Sequence, residues 1–363
     1  MSRHARPRGE GKARRWTPWR VVQSLIATLL FCALPILAFY PWAYWGQGLD
    51  GATVSRRLET VSKIGKVHEE KDKAGVIRDD QPPAETSPGE GKLIGWMRIP
   101  RIGRDYRLPI QEGTTQIILD NMGSGHYERT AMPGQPGNSA YAGHATYSDF
   151  ADIRLLRPGD QIIVETGDNW YVYSMASSRI VDEHDTGILA SDGANRTITL
   201  TTCWPVLTTA HTEHRLVVKG DWVGWMPKTD GTPASLTGTR RTVTEQLKRH
   251  AETISERVGM PVTGVAACCL ALMWLILNGF NWLISHRRMR DEWRLTPPSD
   301  PFSLIWMLNA GWFPSHPVLF KASRMLPMLL LYGALLFASW RWACPWMADH
   351  LQWLLGSYPH PPA

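Results

Sequence analysis

The chain has 363 residues, five cysteines and a formal net charge of +6, with 44% hydrophobic and 20% charged residues. It is too apolar for a disordered polypeptide and too long and cysteine-poor for a disulfide scaffold. Its basic balance is not a nucleic-acid signal, because it is local: seven Lys/Arg and one acid fall within residues 1–20, and that segment alone carries the charge of the whole chain.

Basic flanks beside long apolar runs point to a membrane. Residues 1–20 read as a basic cytoplasmic tail. No charge occurs from Val21 to Leu49, and residues 21–45 are predicted to be a transmembrane anchor. The run is too long for a signal-peptide core and ends in the aromatic AFYPWAYWG without a small-residue cleavage site, so the anchor is read as uncleaved, with Trp42, Tyr44 and Trp45 at the outer interface. Residues 46–91 are polar, broken by Pro, Gly and charge, and read as a stalk.

From residue 92 to 225 the pattern changes to short β-like runs: LIGWMRIP, YRLPI, NSAYAGH, DQIIVET, NWYVYSMASSRIV, RTITLTTC and HRLVVKGDWVGW. The TGDN between Val164 and Trp170 reads as a hairpin turn. Many short strands with few helical patterns argue for a small all-β barrel or sandwich.

Residues 226–260 form a linker in which Val243, Leu247, Ala251, Ile254 and Val258 recur at helical spacing, as in a juxtamembrane amphipathic helix. Residues 261–285 are a second predicted transmembrane helix, followed at once by Arg287, Arg288 and Arg290 in a basic cytoplasmic segment, 286–324. Within it, Pro301, Pro314, Pro317 and several Trp make 301–320 an interfacial segment, with a re-entrant or fourth span as the alternative. Residues 325–347 are a third transmembrane helix in which Arg341 must snorkel, and 348–363 are a C-terminal tail. With both basic segments inside, residues 46–260 lie outside the cell membrane.

Four cysteines fall in or beside these membrane segments, which leaves Cys203 as the single thiol of the outer domain. A buried inert thiol is the plain reading of a free Cys. The setting differs: Cys203 ends an alternating strand, Thr197 to Thr202, and is followed by Trp204-Pro205, where a proline must end the ladder. A thiol nucleophile needs a proton donor and an oxyanion stabiliser. The outer histidines are His68, His126, His144, His184, His211, His214 and His250; His144 also ends a strand, after Gly143. Arg215 opens the strand after Cys203 and offers a permanently charged planar fork of donors. His211-Thr212-Glu213-His214 lacks a third ligand, so neither a metal nor another cofactor is expected.

These residues together resemble a sortase, a bacterial cysteine transpeptidase of the cell surface. The family pattern T-L-x-T-C appears as Thr199-Leu200-Thr201-Thr202-Cys203, the family His in a G-H context as Gly143-His144, and the family Arg as Arg215 in HRLVV. The stretches MPGQPGNSAYAGHATY and TLTTCWP look especially like class E sortases of actinobacteria. The resemblance spans roughly residues 92–225. It implies an eight-stranded closed β-barrel, flanked here by transmembrane helices, with its site at one rim. It implies that Cys203 attacks the Thr–Gly bond of an LPXTG-like, or LAXTG, sorting signal to form a thioester, and that His144 moves the amine's proton. Arg215 then binds substrate and oxyanion, and Thr202, Tyr147 and Trp204 contact the signal, the last also through its backbone N–H.

The implied partners are surface proteins bearing the signal, an amine of a lipid-linked peptidoglycan precursor, and membrane lipid. Pilin polymerisation through a lysine amine, as in class C sortases, is the alternative, although no Asp-Pro-aromatic lid precedes the barrel. A non-enzymatic membrane scaffold is the second alternative.

Overall fold

The computed structural model describes residues 17–51, 58, 73–120, 123–191, 193–206, 212–237, 243–312 and 315–355. Most of the basic tail, much of the stalk, His68, His211 and the end of the C-terminal tail lie outside the described residues. The chain divides into two compact units, one containing Tyr40–Val262 and the other Thr263–Ala343 together with the start of the first helix.

Among the described residues of the first unit, eight strands close into a barrel: β1 (Leu93–Arg98), β2 (Leu108–Glu112), β3 (Ser124–His126), β4 (Gly137–Gly143), β5 (Gln161–Glu165), β6 (Asn169–Asp182), β7 (Arg196–Trp204) and β8 (His214–Pro227). Their order round the barrel is β1-β2-β3-β4-β7-β8-β6-β5. The pairs β2/β3 and β4/β7 are parallel and the rest antiparallel. Alternate residues fill the interior, where Met97, Ile110, Tyr141, Ile162, Leu200 and Val218 share one core. The predicted hairpin after Val164 is present, closed by Thr166 N–H donating to Asn169 O at 2.9 Å.

The polar segment before the barrel does not stand clear of it. From residue 73 onward it is strapped to the wall: Ala74 bridges Thr232, and Arg78 bridges Trp225. Tyr171 Oη donates to Glu85 at 2.6 Å, and Ser87 Oγ to Glu112 at 2.9 Å. Polar composition predicts a free stalk, but backbone pairing and carboxylate acceptors need no apolar residues to dock a segment.

Among the described residues, three helical stretches are long and apolar enough to cross a membrane: Pro18–Tyr44, Val262–Leu295 and Pro317–His350. They contain α1 (Pro18–Tyr44), α4 (Val262–Leu295), α6 (Pro317–Ser323) and α7 (Met325–Ala338). Between the barrel and α4 runs α3 (Val243–Val258), on which Leu247, Ile254 and Val258 are exposed. A short helix, α5 (Pro301–Leu308), follows α4. Its exit is non-helical, and α4 side chains satisfy the released backbone. Asn278 and Trp282 donate to Leu308 O at 2.9 Å each, Asn281 to Ala310 O at 2.9 Å, and Ser285 to Gly311 O at 2.8 Å.

One buried charge cluster closes the barrel wall. Glu165 ends β5 and accepts from Arg98 Nη1 at 3.0 Å and Lys228 Nζ at 2.8 Å, with Arg107 Nε at 3.4 Å. The Arg107 guanidinium stacks 3.8 Å over the Trp96 ring. Burial pushes the Glu165 carboxyl up, but Arg107, Arg98 and Lys228 outweigh it and hold the group at about 2. A carboxyl depressed in the fold contributes stability above its ordinary 4.5 and loses it as pH falls through about 2. Glu165→Gln leaves three cations without their counter-charge, so it should cost about 3–5 kcal/mol. Denaturation followed by tryptophan fluorescence should show that loss at pH 7, and the variant's stability should vary less than the parent's on acidification below pH 4.5.

Candidate active site

Alternation along three adjacent strands decides which side chains share a surface. On β7, Ile198 and Leu200 face the core, so Thr199, Thr201 and Cys203 occupy the opposite face. On β8, Leu216 and Val218 face the core, which turns Val217 and Arg215 outward. On β4, Tyr141 faces the core, and Ala142 with the following His144 lies on the other side.

The pairing registers then align these outward residues. Cys203 is paired directly with Arg215 across β7/β8. Ala142 is paired with Thr201 across β4/β7, and His144 and Cys203 each lie two residues further along these parallel strands. The thiol, the imidazole and the guanidinium thus rise side by side on one face at one end of the barrel.

Each is held differently. β7 ends at Trp204, immediately before Pro205, and Cys203 is a free, partly exposed thiol. Gly143 lets β4 run into its loop beneath an aromatic ring: a Cβ there would lie 2.7 Å from Phe150. The loop from His144 to Phe150 folds back on itself, with Phe150 N–H donating to His144 O at 3.0 Å and Asp149 N–H to Thr146 O at 3.1 Å. Tyr147 N–H donates to Tyr44 O, the last residue of α1, at 3.0 Å. Arg215 donates from Nη2 to Glu183 Oε2 at 2.8 Å and from Nη1 to Thr212 O at 2.7 Å. Nη1 also donates to His214 O at 3.1 Å.

Two carboxylates flank His144. Asp120, the last residue of α2 (Gln116–Asp120), places Oδ1 3.0 Å from Nε2. Asp149 is buried and accepts from Gly123 N–H and Thr146 Oγ1, both at 3.0 Å. Burial lifts the Asp149 carboxyl to about 6, against the lowering by His144 and these two hydrogen bonds. Neither Asp120 nor Glu183 belongs to a recognisable sequence motif. The available signal for Asp120 is an acid in the last turn of a helix, against the dipole preference.

The remaining residues fall elsewhere. Thr202 sits with the core-facing set, 2% exposed, and its Oγ1 has no partner among the described residues. Trp204 packs its ring on the core, and Tyr147 is exposed in the loop. His126 is buried in β3, with Nδ1 3.0 Å from Glu112 and Nε2 3.1 Å from Ala131 O, a structural pair away from the thiol's face. His184 is exposed beside Asp182, and His250 lies on α3. Among the described residues, no group of three His, Cys, Asp or Glu is placed to hold a metal.

Comparison with known proteins finds relatives of the barrel domain. A Sortase domain profile matches residues 97–223. Sortase D of Bacillus subtilis is 30% identical over 137 residues, covering 38% of this chain and 67% of that protein. Sortase SrtE1 of Streptomyces coelicolor is 35% identical over 182 residues, 45% of this chain, and the chain spans 50% of that protein's length. A crystal structure of sortase E1 from Streptomyces coelicolor with a tripeptide in the active site is 34% identical, covering 40% of this chain and 97% of that one, with a TM-score of 0.37. On this barrel, this profile and these relatives, the chain belongs to the sortase family of cysteine transpeptidases and is most like its class E members.

Proposed function

We propose that this sortase cleaves an LPXTG-like sorting signal, LAXTG included, between Thr and Gly and transfers the protein to an amine of a lipid-linked cell-wall precursor. The observation that carries the reading is the shared outer face of Cys203, His144 and Arg215, set by two strand registers. The tripeptide held by the Streptomyces coelicolor relative supports a peptide substrate. Cys203 is the nucleophile that forms the thioester, His144 is the acid for the leaving amine and the base for the incoming one, and Arg215 binds the carbonyl as it becomes an oxyanion. Thr202, through its backbone, together with Tyr147 and Trp204, borders the bound signal.

The chain is read as multi-pass, with its N-terminus inside and the barrel outside. The first of the three spans ends at Tyr44, which is bonded to the loop that carries His144. The site is read as lying close to the membrane surface, where a lipid-linked amine arrives. α5 and its return read as a re-entrant hairpin, because non-helical backbone at membrane depth needs protein partners, and α4 supplies them.

Mixing the full chain in nanodiscs with LPXTG and LAXTG peptides should give a mass gain at Cys203 equal to the peptide up to its Thr. Cys203→Ala should give none while unfolding like the parent; a transfer-competent Cys203→Ala variant would end the reading. The two buried or half-buried histidines should separate cleanly. His144→Gln should lower transfer roughly 100-fold or more at unchanged stability. His126→Leu should cost about 3–5 kcal/mol, because the buried Glu112 carboxylate keeps only Ser87 of its side-chain partners His126 and Ser87, with Cys203 chemistry retained below the melting point. A membrane-impermeant maleimide should label Arg129→Cys, exposed on the barrel, in intact cells; labelling only after lysis would reverse the topology.

A further inference from the structure

Among the described residues, His144 is the one histidine at the thiol's face, and its ring is not free. Its Nε2 lies 3.0 Å from Asp120 Oδ1, with the two side chains 17% and 29% exposed. Gln116 Nε2, one helical turn back, donates to the same Asp120 oxygen at 2.7 Å and fixes the carboxylate. An acid at the C-terminal end of a helix runs against the helix dipole, and local rules are broken most often where a site requires it.

The other groups around the ring do not serve in its place. Asp149, in the same loop, already accepts from Gly123 and Thr146 and stays buried. Arg215, on β8, is paired with Glu183, and Cys203 on β7 is the reacting group.

We propose that Asp120 is the positioning residue of this site: its carboxylate accepts from His144 Nε2–H, fixes the ring and its tautomer, and favours the imidazolium, leaving Nδ1 to exchange protons with the reacting amines. The proposal rests on the acyl-transfer reading above. In the first half-reaction the Cys203 thiolate forms the S–C bond, the peptide C–N bond breaks, and the Nδ1 proton passes to the leaving amine. In the second half, Nδ1 takes a proton from the incoming amine as the new C–N bond forms. The S–C bond breaks, and thiolate and imidazolium are restored. A fixed negative charge on Nε2–H stabilises the charged ring at both ends of this cycle.

The test uses the full chain in nanodiscs and two readouts that need no substrate. The first is the pair of His144 ring-nitrogen chemical shifts, which report its tautomer, by NMR with labelled histidine, assigned through His144→Gln. The second is the pH dependence of iodoacetamide alkylation at Cys203, followed by peptide mass. Asp120→Asn keeps the shape and removes the charge. It should release the Nε2–H tautomer, so that the two His144 ring-nitrogen shifts move toward each other, and slow Cys203 alkylation at pH 7 roughly tenfold. Asp120→Ser, a second neutral variant, should do the same, and Asp120→Glu should restore most of both. With a sorting-signal peptide, kcat should fall and KM stay near the parent's. His144 ring-nitrogen shifts in Asp120→Asn and Asp120→Ser that match the parent's would overturn the proposal. Failure of the parent chain to transfer any peptide would overturn the acyl-transfer reading instead, with the coupling of Asp120 to His144 still measured.

Discussion

The parallel pairing of β4 with β7, in the register Ala142 with Thr201, is the constraint on which the site depends. Parallel neighbours cannot be joined by a tight turn, so the chain must travel through η-helical and hairpin structure, β5 and β6 included, before β7 returns beside β4. Once it does, the two strands end at the same edge, and the residues beyond their ends meet. β8 then pairs antiparallel with β7, and Arg215 falls opposite Cys203 without any further device. Because side-chain direction has a period of two, a slip of one residue in either register would send the thiol or the guanidinium into the core. Closure of the barrel protects those registers by leaving no free edge along which a strand can slide.

The charged groups of this unit fall into two physical classes. Glu165 with its three cations, and Glu112 with His126, are buried, mutually satisfied and part of the wall. Their interactions are strong because water is absent, and removing one partner strands another. The groups at the end of β4, β7 and β8 are only partly covered. Asp120, His144, Glu183 and Arg215 retain exposure between 16% and 29%, enough for a substrate to replace solvent against them. The same contrast separates His126, with both ring nitrogens engaged inside the protein, from His144, which meets a carboxylate on one side and the thiol's surface on the other.

The loop after β4 joins the site to the rest of the molecule. Phe150 occupies the space that Gly143 leaves, Asp149 ties the loop to Gly123, and Tyr147 binds the end of the first helix. A single short segment therefore carries the imidazole and the backbone bond to Tyr44. Tertiary packing, more than loop sequence, makes it rigid.

Much of this was legible in the residues themselves. Seven of the eight strands follow from period-two apolar runs, and the three long apolar helices from uninterrupted hydrophobicity, because both patterns report burial directly. Cys203, His144 and Arg215 stand out because each sits at a strand boundary marked by Pro, Gly or a turn. β3 was invisible: three residues, Ser124–His126, are too few to show a period. The strapped segment after residue 73 was read as free because its docking uses backbone bridges and carboxylates, which composition cannot reveal. The sequence by itself determined most of the elements, the apolar stretches long enough to span a membrane and the three candidate site residues, since those depend on local pattern and chemistry. Only the tertiary structure decided which carboxylate meets His144, which acid holds Arg215 and which way Thr202 faces, because these depend on registers between strands and helices distant in the chain.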